Sequence, residues 1–310
     1  FFFSSLSLLI IFARIFCKMD LVITYVNGND PYWQSQYQNY TTTPILEKRF
    51  RDWGTMVYLF RGIETYMPFI RKVHLVVSSP SQIPSWVNRE TVNVVLHEDI
   101  IPQEYLPTFN SNTIEMHIHR IKDLDDQYLY FNDDIFPVAP LSPDTFFREG
   151  KGVIGMSRHL FALDMFKKIC KNSDRLARKA LSMRNSFLFL RPQHICAPML
   201  RKECDALYGQ EKEYILNSLS RTRSEGNVTQ YVFTDYAYLQ GKIINKRIPK
   251  RHFSVAITSA EKLYNYIKRP THPLVCINDV KLSQEKFEKM RSLLHAAFLE
   301  KFPNKSHYEN

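Results

Sequence analysis

QYLYFNDD, residues 127 to 134, is a short apolar and aromatic run that ends at Asn132 and passes straight into two carboxylates, Asp133 and Asp134. In open α/β sheets ligands collect beyond the carboxyl ends of the strands, so an acidic strand end is a natural place for a site. Working outward, DLVITYVN (Asp20 to Asn27) is β-branched and short, KVHLVVS from Lys72 reads as a second strand, and VNVVLH from Val92 as a third. Between the first two, Trp53, Met56, Val57, Phe60, Ile63 and Met67 recur at a spacing of three and four, which gives one apolar helix face, and Pro68 closes it. Strands separated by a helical segment point to βαβ units. The fold class predicted is α/β, with a Rossmann-like, mainly parallel sheet.

A further helix is predicted to begin near Asn112, where Asn112-Thr-Ile-Glu115 has capping-box spacing, and to run past Ile121. Residues 157–240 read as a mainly helical portion with polar breaks. PLVCIND, residues 273 to 279, reads as one more strand, and a final amphipathic helix from Ser283 puts Phe287, Met290, Leu294, Ala297 and Phe298 on one face.

The 310 residues are 45% apolar, 14% aromatic and 23% charged, which excludes a wholly disordered chain and leaves room for a sizeable core. A formal charge of +10 (41 basic, 31 acidic residues) welcomes nucleic acid, acidic lipid headgroups or phosphate-bearing substrates without choosing among them. The basic residues are dispersed, with no compact Lys/Arg run and no nucleic-acid motif, so a nucleic-acid partner is not expected. Five cysteines without a C-x-x-C pair read as free thiols in a reducing, cytoplasmic setting. FFFSSLSLLIIFARIFCK, residues 1–18, is apolar but is interrupted by Arg14, and it falls short of the roughly 20 residues that span a bilayer. Its charges follow the apolar core, unlike those of a signal peptide. It reads as a mis-assigned start or a short anchor, ahead of one domain over residues 19–310.

Adjacent carboxylates repel unless a cation or strong donor compensates, so Asp133 and Asp134 are candidate ligands for a hard cation; the alternative is a turn with capping aspartates. At the predicted helix start, Asn110 and Ser111 offer side-chain donors to a phosphate, whereas Glu115 also reads as the reciprocal half of a cap. Arg49, Arg51, Arg61, Arg221 and Arg223 are weighed as phosphate-binding groups against a solvated surface role. His194, in RPQHICAP, is a candidate general base because an unperturbed imidazole titrates near pH 6.5.

TYVNGNDPYW, RFRDWGTMVYLFRGIETYMPFIRKVHLVV, IPSWVN, LHEDI, LPTFNSNTIEMHIHRI and YLYFNDD, in that order, resemble the first two regions of the Stealth proteins. QHICAPMLRKECDALYG, RTRSEGN, CINDV and FPNKSHYE resemble two more, so the likeness covers nearly all of residues 20–309. It implies a phosphotransferase of capsule or exopolysaccharide synthesis, related to the catalytic part of the animal lysosomal-enzyme N-acetylglucosamine-1-phosphotransferase. Such an enzyme moves a sugar 1-phosphate from a nucleotide diphospho-sugar to a hydroxyl of a glycan or lipid-linked glycan, releasing a nucleoside monophosphate. The resemblance puts key positions at Asp30, Asp134, His194 and Arg223, and donor-site positions at Ser111 and Glu115. On that basis His194 takes the acceptor proton, Arg223 and Mg²⁺ (or Mn²⁺) neutralise the diphosphate, and Asp134 with Asp133 holds the metal or else orients His194. Asp30 and the Asn27-Gly28 turn touch the nucleotide or order the loop, and Arg49 and Arg61 join the substrate-binding set. Residues 195–197 separate His194 from Pro198, and Asn227 stands where the family pattern has Asp. Peripheral contact with the inner face of a membrane is compatible with a lipid-linked acceptor. A metal-dependent glycosyltransferase that releases a nucleoside diphosphate is the rival enzyme, and a non-catalytic basic binding module is the rival of another class.

Overall fold

The computed structural model describes residues 18–41 and 50–310. The apolar extension up to residue 17 and Arg49 lie outside the described residues. In chain order the elements are β1 (Met19–Thr24), α1 (Pro31–Tyr40), α2 (Met56–Tyr66), β2 (Ile70–Val77), β3 (Val92–Leu96), α3 (His97–Ile100), α4 (Ser111–Glu115), β4 (Gln127–Phe131), β5 (Ile135–Pro137), β6 (Phe147–Arg148), β7 (Lys151–Ile154) and β8 (Met156–His159). Then follow α5 (Met165–Ala180), β9 (Phe189–Pro192), β10 (Ala197–Leu200), α6 (Arg201–Gln210), α7 (Lys212–Ser218), α8 (Tyr231–Leu239), β11 (Ile243–Asn245), β12 (Lys250–Ser254), α9 (Ala260–Lys268), β13 (Leu274–Asn278) and α10 (Gln284–Lys301).

The main sheet has the order β10-β4-β1-β2-β3; β4, β1, β2 and β3 are parallel, and β10 closes the edge antiparallel to β4. This is the Rossmann-like arrangement expected. Leu21, Val22 and Ile23 of β1 are wholly buried between β2 and β4, because a strand covered on both faces must be apolar throughout. Asp20 is the exception. Its buried carboxylate accepts from Arg71 (Nε 2.9 Å, Nη2 2.8 Å), from the Asp125 backbone N–H (2.9 Å) and lies 3.2 Å from His74 Nε2. Burial pushes the Asp20 carboxyl up, but these donors outweigh it and hold it well below the usual carboxylate range.

A three-stranded sheet, β12-β13-β5, stands beside the main one, with β12 and β13 parallel and β5 antiparallel. Tyr58 of α2 stacks on Phe298 of α10 (5.5 Å between ring centres), and Phe298 meets Phe136 of β5 at 4.8 Å, which fastens the C-terminal helix to α2 and to the three-stranded sheet. As expected, α10 buries Met290, Leu294, Ala297 and Phe298; Phe287 stays half-buried against Trp53.

Two expectations are corrected. The helix predicted from Asn112 past Ile121 is only α4, five residues long, followed by a separate 3₁₀ turn at Ile118–Arg120. Its N-cap is Asn110, whose side-chain oxygen accepts from the Asn112 N–H (3.1 Å), so Glu115 is not a capping partner. The mainly helical stretch 157–240 also carries β9, β10 and most of β8, strands of four residues too short and too mixed in polarity to show a period. Among the described residues no helix is long and apolar enough to cross a membrane. Cys170, Cys196, Cys204 and Cys276 are free and buried.

Candidate active site

A cavity of about 970 Å³ opens beyond the carboxyl ends of the parallel strands. Thr24 at the end of β1 and Tyr25 after it, Ser78 after β2, His97 after β3 and Asn132 to Asp134 after β4 all line it. β2 and β3 lie on one side of β1 and β4 on the other, so the cavity occupies the point where strand order reverses.

At its acidic end the cavity is formed by two strand ends. The antiparallel register of β13 on β5 pairs Cys276 with Ile135, and the Ile277 N–H donates to the Asp134 carbonyl at 2.8 Å. Asp279, just past β13, therefore joins Asp133 and Asp134 in the lining, with Asp52 nearby. Tyr25 Oη donates to Asp52 (3.0 Å) and Trp53 Nε1 to Asp279 (3.1 Å). Burial, then Asp134, Asp52 and Asp279, push the Asp133 carboxyl up to about 7.

Asp134 behaves differently. His194 Nε2 lies 3.4 Å from its Oδ2, and the Cys276 thiol donates to the same oxygen at 3.4 Å. Burial pushes Asp134 up, but His194, Cys276 and the nearby Lys250 ammonium outweigh it and hold the carboxyl below its ordinary value. Its Oδ1 is buried without a hydrogen-bond partner. Asp52, Asp133 and Asp279 line the same cavity, and a buried, unpaired carboxylate oxygen among oxygen donors has the chemistry that suits Mg²⁺ or Mn²⁺, although Asp279 also has Arg51 at 3.8 Å. The Oδ2 side, shared with the imidazole and thiol within 4.8 Å, is a softer donor set; there burial pushes the Cys276 thiol up and keeps it a donor.

Arg223 and Ser111 meet across the cavity wall, Nη2 donating to Oγ at 2.7 Å. Glu115 accepts from Thr229 Oγ1 (2.7 Å) and from the Gln230 N–H (3.1 Å), tying α4 to the turn before α8. The Tyr130 phenol stands among these groups. Burial, Glu115 and Asp133 push it up, with Thr24 and Arg223 opposing. Asn112 Nδ2 and Gln230 Oε1 also face this region, buried and without partners.

Of the remaining sequence candidates, Arg51 lines the acidic end of the cavity, 3.8 Å from Asp279 and over the Phe287 ring, and the others described are engaged away from it. Asp30 caps α1 through the Tyr32 N–H (2.9 Å) and accepts from Ser81 (2.6 Å) and Gln82 (2.8 Å), the loop-ordering role. The Asn27 N–H is held by Gln82 (2.6 Å), and Gly28 is required because a Cβ there would sit 2.4 Å from the Phe50 carbonyl oxygen. The turn thus packs on Phe50, itself a cavity-wall residue. Arg61 donates to both carboxylate oxygens of Glu309 (2.8 and 2.7 Å) and to the Phe302 carbonyl, locking the C-terminal segment. Asn110 donates to Ser220 O (3.1 Å) and Asn227 Oδ1 (2.9 Å), so its amide serves the Arg223 loop. Arg221 lies over the Tyr40 ring and donates to the Pro107 carbonyl.

Sequence reasoning missed Asp279, Asn112, Gln230 and Lys250 as site groups. Asp279 had a readable signal: PLVCIND repeats the pattern of QYLYFNDD, a buried strand that ends in Asn-Asp. Asn227 proves to suit its place. Its Nδ2 donates to Ser218 O (2.6 Å) and Ser220 Oγ (2.8 Å), which a carboxylate could not do.

A family model described as Stealth protein CR2, conserved region 2, matches residues 49–154, the span that holds α4 and the acidic end of β4. The capsular polysaccharide phosphotransferase LcbA of Aeromonas hydrophila is 30% identical over 284 residues, 84% of this chain and 78% of the relative. The capsular polysaccharide phosphotransferase WcwK of Streptococcus pneumoniae and the receptor polysaccharide phosphotransferase WefC of Streptococcus oralis are each 29% identical over 94% of this chain and 99% of the relative. Likeness of that extent makes this chain a member of the Stealth family and a transferase of the phosphotransferase kind.

Proposed function

We propose that the enzyme transfers a sugar 1-phosphate from a nucleotide diphospho-sugar to a hydroxyl of a glycan, free or lipid-linked, in capsular or exopolysaccharide synthesis. The products are a phosphodiester and a nucleoside monophosphate. The observation that carries the reading is the His194–Asp134 contact, 3.4 Å from Nε2 to Oδ2, on the wall of the cavity that also holds Arg223. With Nε2–H turned toward Asp134, Nδ1 is the ring atom left to take the acceptor's proton. The acceptor oxygen bonds to the sugar-bearing phosphorus while the bond from that phosphorus to the bridging oxygen breaks. The bond electrons leave with the nucleoside monophosphate, and the hydroxyl proton goes to Nδ1. Arg223, steadied by Ser111, supplies planar N–H donors to phosphoryl oxygens, the charge stabilisation that dominates phosphoryl transfer.

Asp133 and Asp134, with Asp279 beside them, would hold Mg²⁺ or Mn²⁺, which when bound neutralises part of the diphosphate charge. Asn112 and Gln230 offer an amide donor and an amide acceptor to the donor substrate. A lipid-linked acceptor would bring the enzyme to the cytoplasmic face of a membrane as a peripheral protein.

The test is incubation of the full chain with a panel of nucleotide sugars, an oligosaccharide acceptor and Mg²⁺, with products identified by mass and ³¹P NMR. Nucleoside monophosphate with a phosphodiester-linked product is expected. Release of nucleoside diphosphate would make the enzyme a glycosyltransferase and overturn the reading. Chelation of divalent cations should stop turnover and added Mg²⁺ restore it; full turnover in chelator removes the cation from the reaction.

A further inference from the structure

Three ligand atoms of different chemistry meet on one side of Asp134. His194 Nε2 and Cys276 Sγ each lie 3.4 Å from Asp134 Oδ2, and the three atoms fall within 4.8 Å of one another. A tetrahedral ion with bonds of about 2.0 Å to oxygen and nitrogen and about 2.3 Å to sulfur needs edges of about 3.3 Å from N to O and about 3.5 Å from S to O. Both observed edges match. Among the described residues no other three His, Cys, Asp or Glu side chains come together in this way.

The fold brings these atoms from three separate segments. Cys276 of β13 is paired with Ile135 of β5, the residue after Asp134, and the Ile277 N–H donates to the Asp134 carbonyl at 2.8 Å. His194 sits between β9 and β10, where its carbonyl accepts from Lys250 at the start of β12, the strand parallel to β13. Its neighbour Gln193 donates from Nε2 to the Ile248 carbonyl (2.9 Å) and accepts from the Ile248 N–H (3.0 Å). The segment that carries each ligand is thus tied to its neighbours, so an ion entering here meets ligands already in place and little ordering remains to be done. Positions 134, 194 and 276 are too far apart in the chain for any ligand spacing to announce them.

We propose that Asp134 Oδ2, His194 Nε2 and Cys276 Sγ form a site for Zn²⁺, separate from the oxygen donors of the hard-cation set, and that Zn²⁺ held there keeps the enzyme inactive. Mg²⁺ takes oxygen ligands and is poorly served by imidazole and sulfur, whereas Zn²⁺ accepts all three donors. On binding, the Cys276 S–H bond breaks, a Zn–S bond forms and the proton passes to solvent, while the imidazole proton moves from Nε2 to Nδ1 by exchange with water. Carboxylate and thiolate together balance the charge of the ion. The fourth position is left to water from the cavity that Asp134 and His194 line. The block follows from the ring: a neutral imidazole with its Nε2 on a metal carries its proton on Nδ1, so Nδ1 is closed to the acceptor's proton. The block rests on the reading of His194 as the base; the site itself does not.

The experiment titrates Co²⁺, a spectroscopic stand-in for Zn²⁺, into the full reduced chain in excess Mg²⁺ and follows the thiolate-to-cobalt charge-transfer absorption. Turnover is measured in parallel against Zn²⁺. A band that Zn²⁺ displaces is expected, and Zn²⁺ should lower turnover about a hundredfold, the scale of general-base loss, with recovery on adding a zinc-selective chelator while Mg²⁺ stays in excess. Cys276→Ser should lose the band and raise the Zn²⁺ concentration for half-inhibition about tenfold or more, each measured against its own zinc-free turnover. Cys204→Ser, a buried thiol outside the cluster, should keep both effects. Should Cys276→Ser not fold, His194→Ala decides by binding alone: its cobalt complex should be about tenfold or more weaker, and equal affinity overturns the site. No band at saturating Co²⁺, a band that survives Cys276→Ser, or equal inhibition of that variant also overturns the site, and none of these outcomes touches the product test. Full turnover with the site saturated overturns the block and, with it, the base role of His194, whereas release of nucleoside diphosphate would sink the sugar-phosphate reading and leave the zinc site standing.

Discussion

The first 155 residues and the last 155 contribute to one cavity by different means. The first half supplies the ends of parallel strands, Thr24 to Val26, Ser78, His97 and Asn132 to Asp134, each fixed by the backbone ladder beneath it. The second half supplies His194, Arg223, Arg191, Arg247 and Lys250, mostly from loops and strand ends that side chains hold in place. Gln193 clasps Ile248, Asn227 bridges Ser218, Ser220 and Asn110, and Glu115 reaches over from the first half to Thr229 and Gln230. A ladder tolerates the loss of one side chain, whereas a clasp depends on one donor or acceptor. Changes in the second half should therefore move catalysis, and changes in the first-half frame should move stability.

The largest test is His194→Ala. Loss of the base should lower kcat by about 10³-fold, within the range for general-base removal, with Tm and circular dichroism unchanged because the ring is one-third exposed at the cavity wall. Near-normal turnover would remove His194 from the chemistry. Arg61→Ala probes the frame. It leaves Glu309, 3% exposed, without its counter-ion and should cost about 3 kcal/mol in denaturant unfolding. Turnover per folded molecule should persist, and a loss of kcat with full stability would break the division between frame and clasp.

Asn227→Asp tests the clasp directly. Two donor bonds vanish, and the new carboxylate faces the Ser218 carbonyl, so stability should fall by about 2 kcal/mol and the donor KM should rise as the Arg223 loop loosens. An unchanged KM would show that the loop is held otherwise. Asp235→Asn, in the buried face of α8, is the smallest and has the opposite sign. Asp235 is wholly buried with neither carboxylate oxygen hydrogen-bonded, and burial with nearby Asp174 pushes its carboxyl far up. The folded state therefore keeps a proton that the unfolded chain releases near pH 4, and stability is lost as pH rises above that value. The amide removes this penalty, so Tm should rise and the gain should grow between about pH 4 and pH 8. A gain that does not depend on pH would mean that the carboxyl is ionised in the fold.

The parallel sheet was legible because its strands are buried on both faces and so had to be continuous apolar runs, and because QYLYFNDD advertises a charged strand end. The helices α2 and α10 were legible from the spacing of their apolar residues. The strands β5 to β12 were not, since pieces of two to five residues with mixed polarity carry no period, and α4 was overextended because a capping-box spacing says nothing about where a helix stops. Among the site candidates, Asp133, Asp134, Ser111, Glu115, His194 and Arg223 all line the cavity, whereas Asp30, Asn27, Gly28, Asn110 and Arg61 serve its frame.

By itself the chain determined the element types of its longest segments, the acidic strand end and the family motifs, because each of these is a local pattern of apolar spacing or of adjacent groups. Only the tertiary structure decided which arginines are neutralised by a carboxylate and which line the cavity without an ion pair. A guanidinium reads the same in sequence whether it faces Glu309, as Arg61 does, or an open cavity, as Arg247 does. Its partner lies 248 residues away in one case, and among the described residues no carboxylate pairs with it in the other; only the packing of the strands sets such distances.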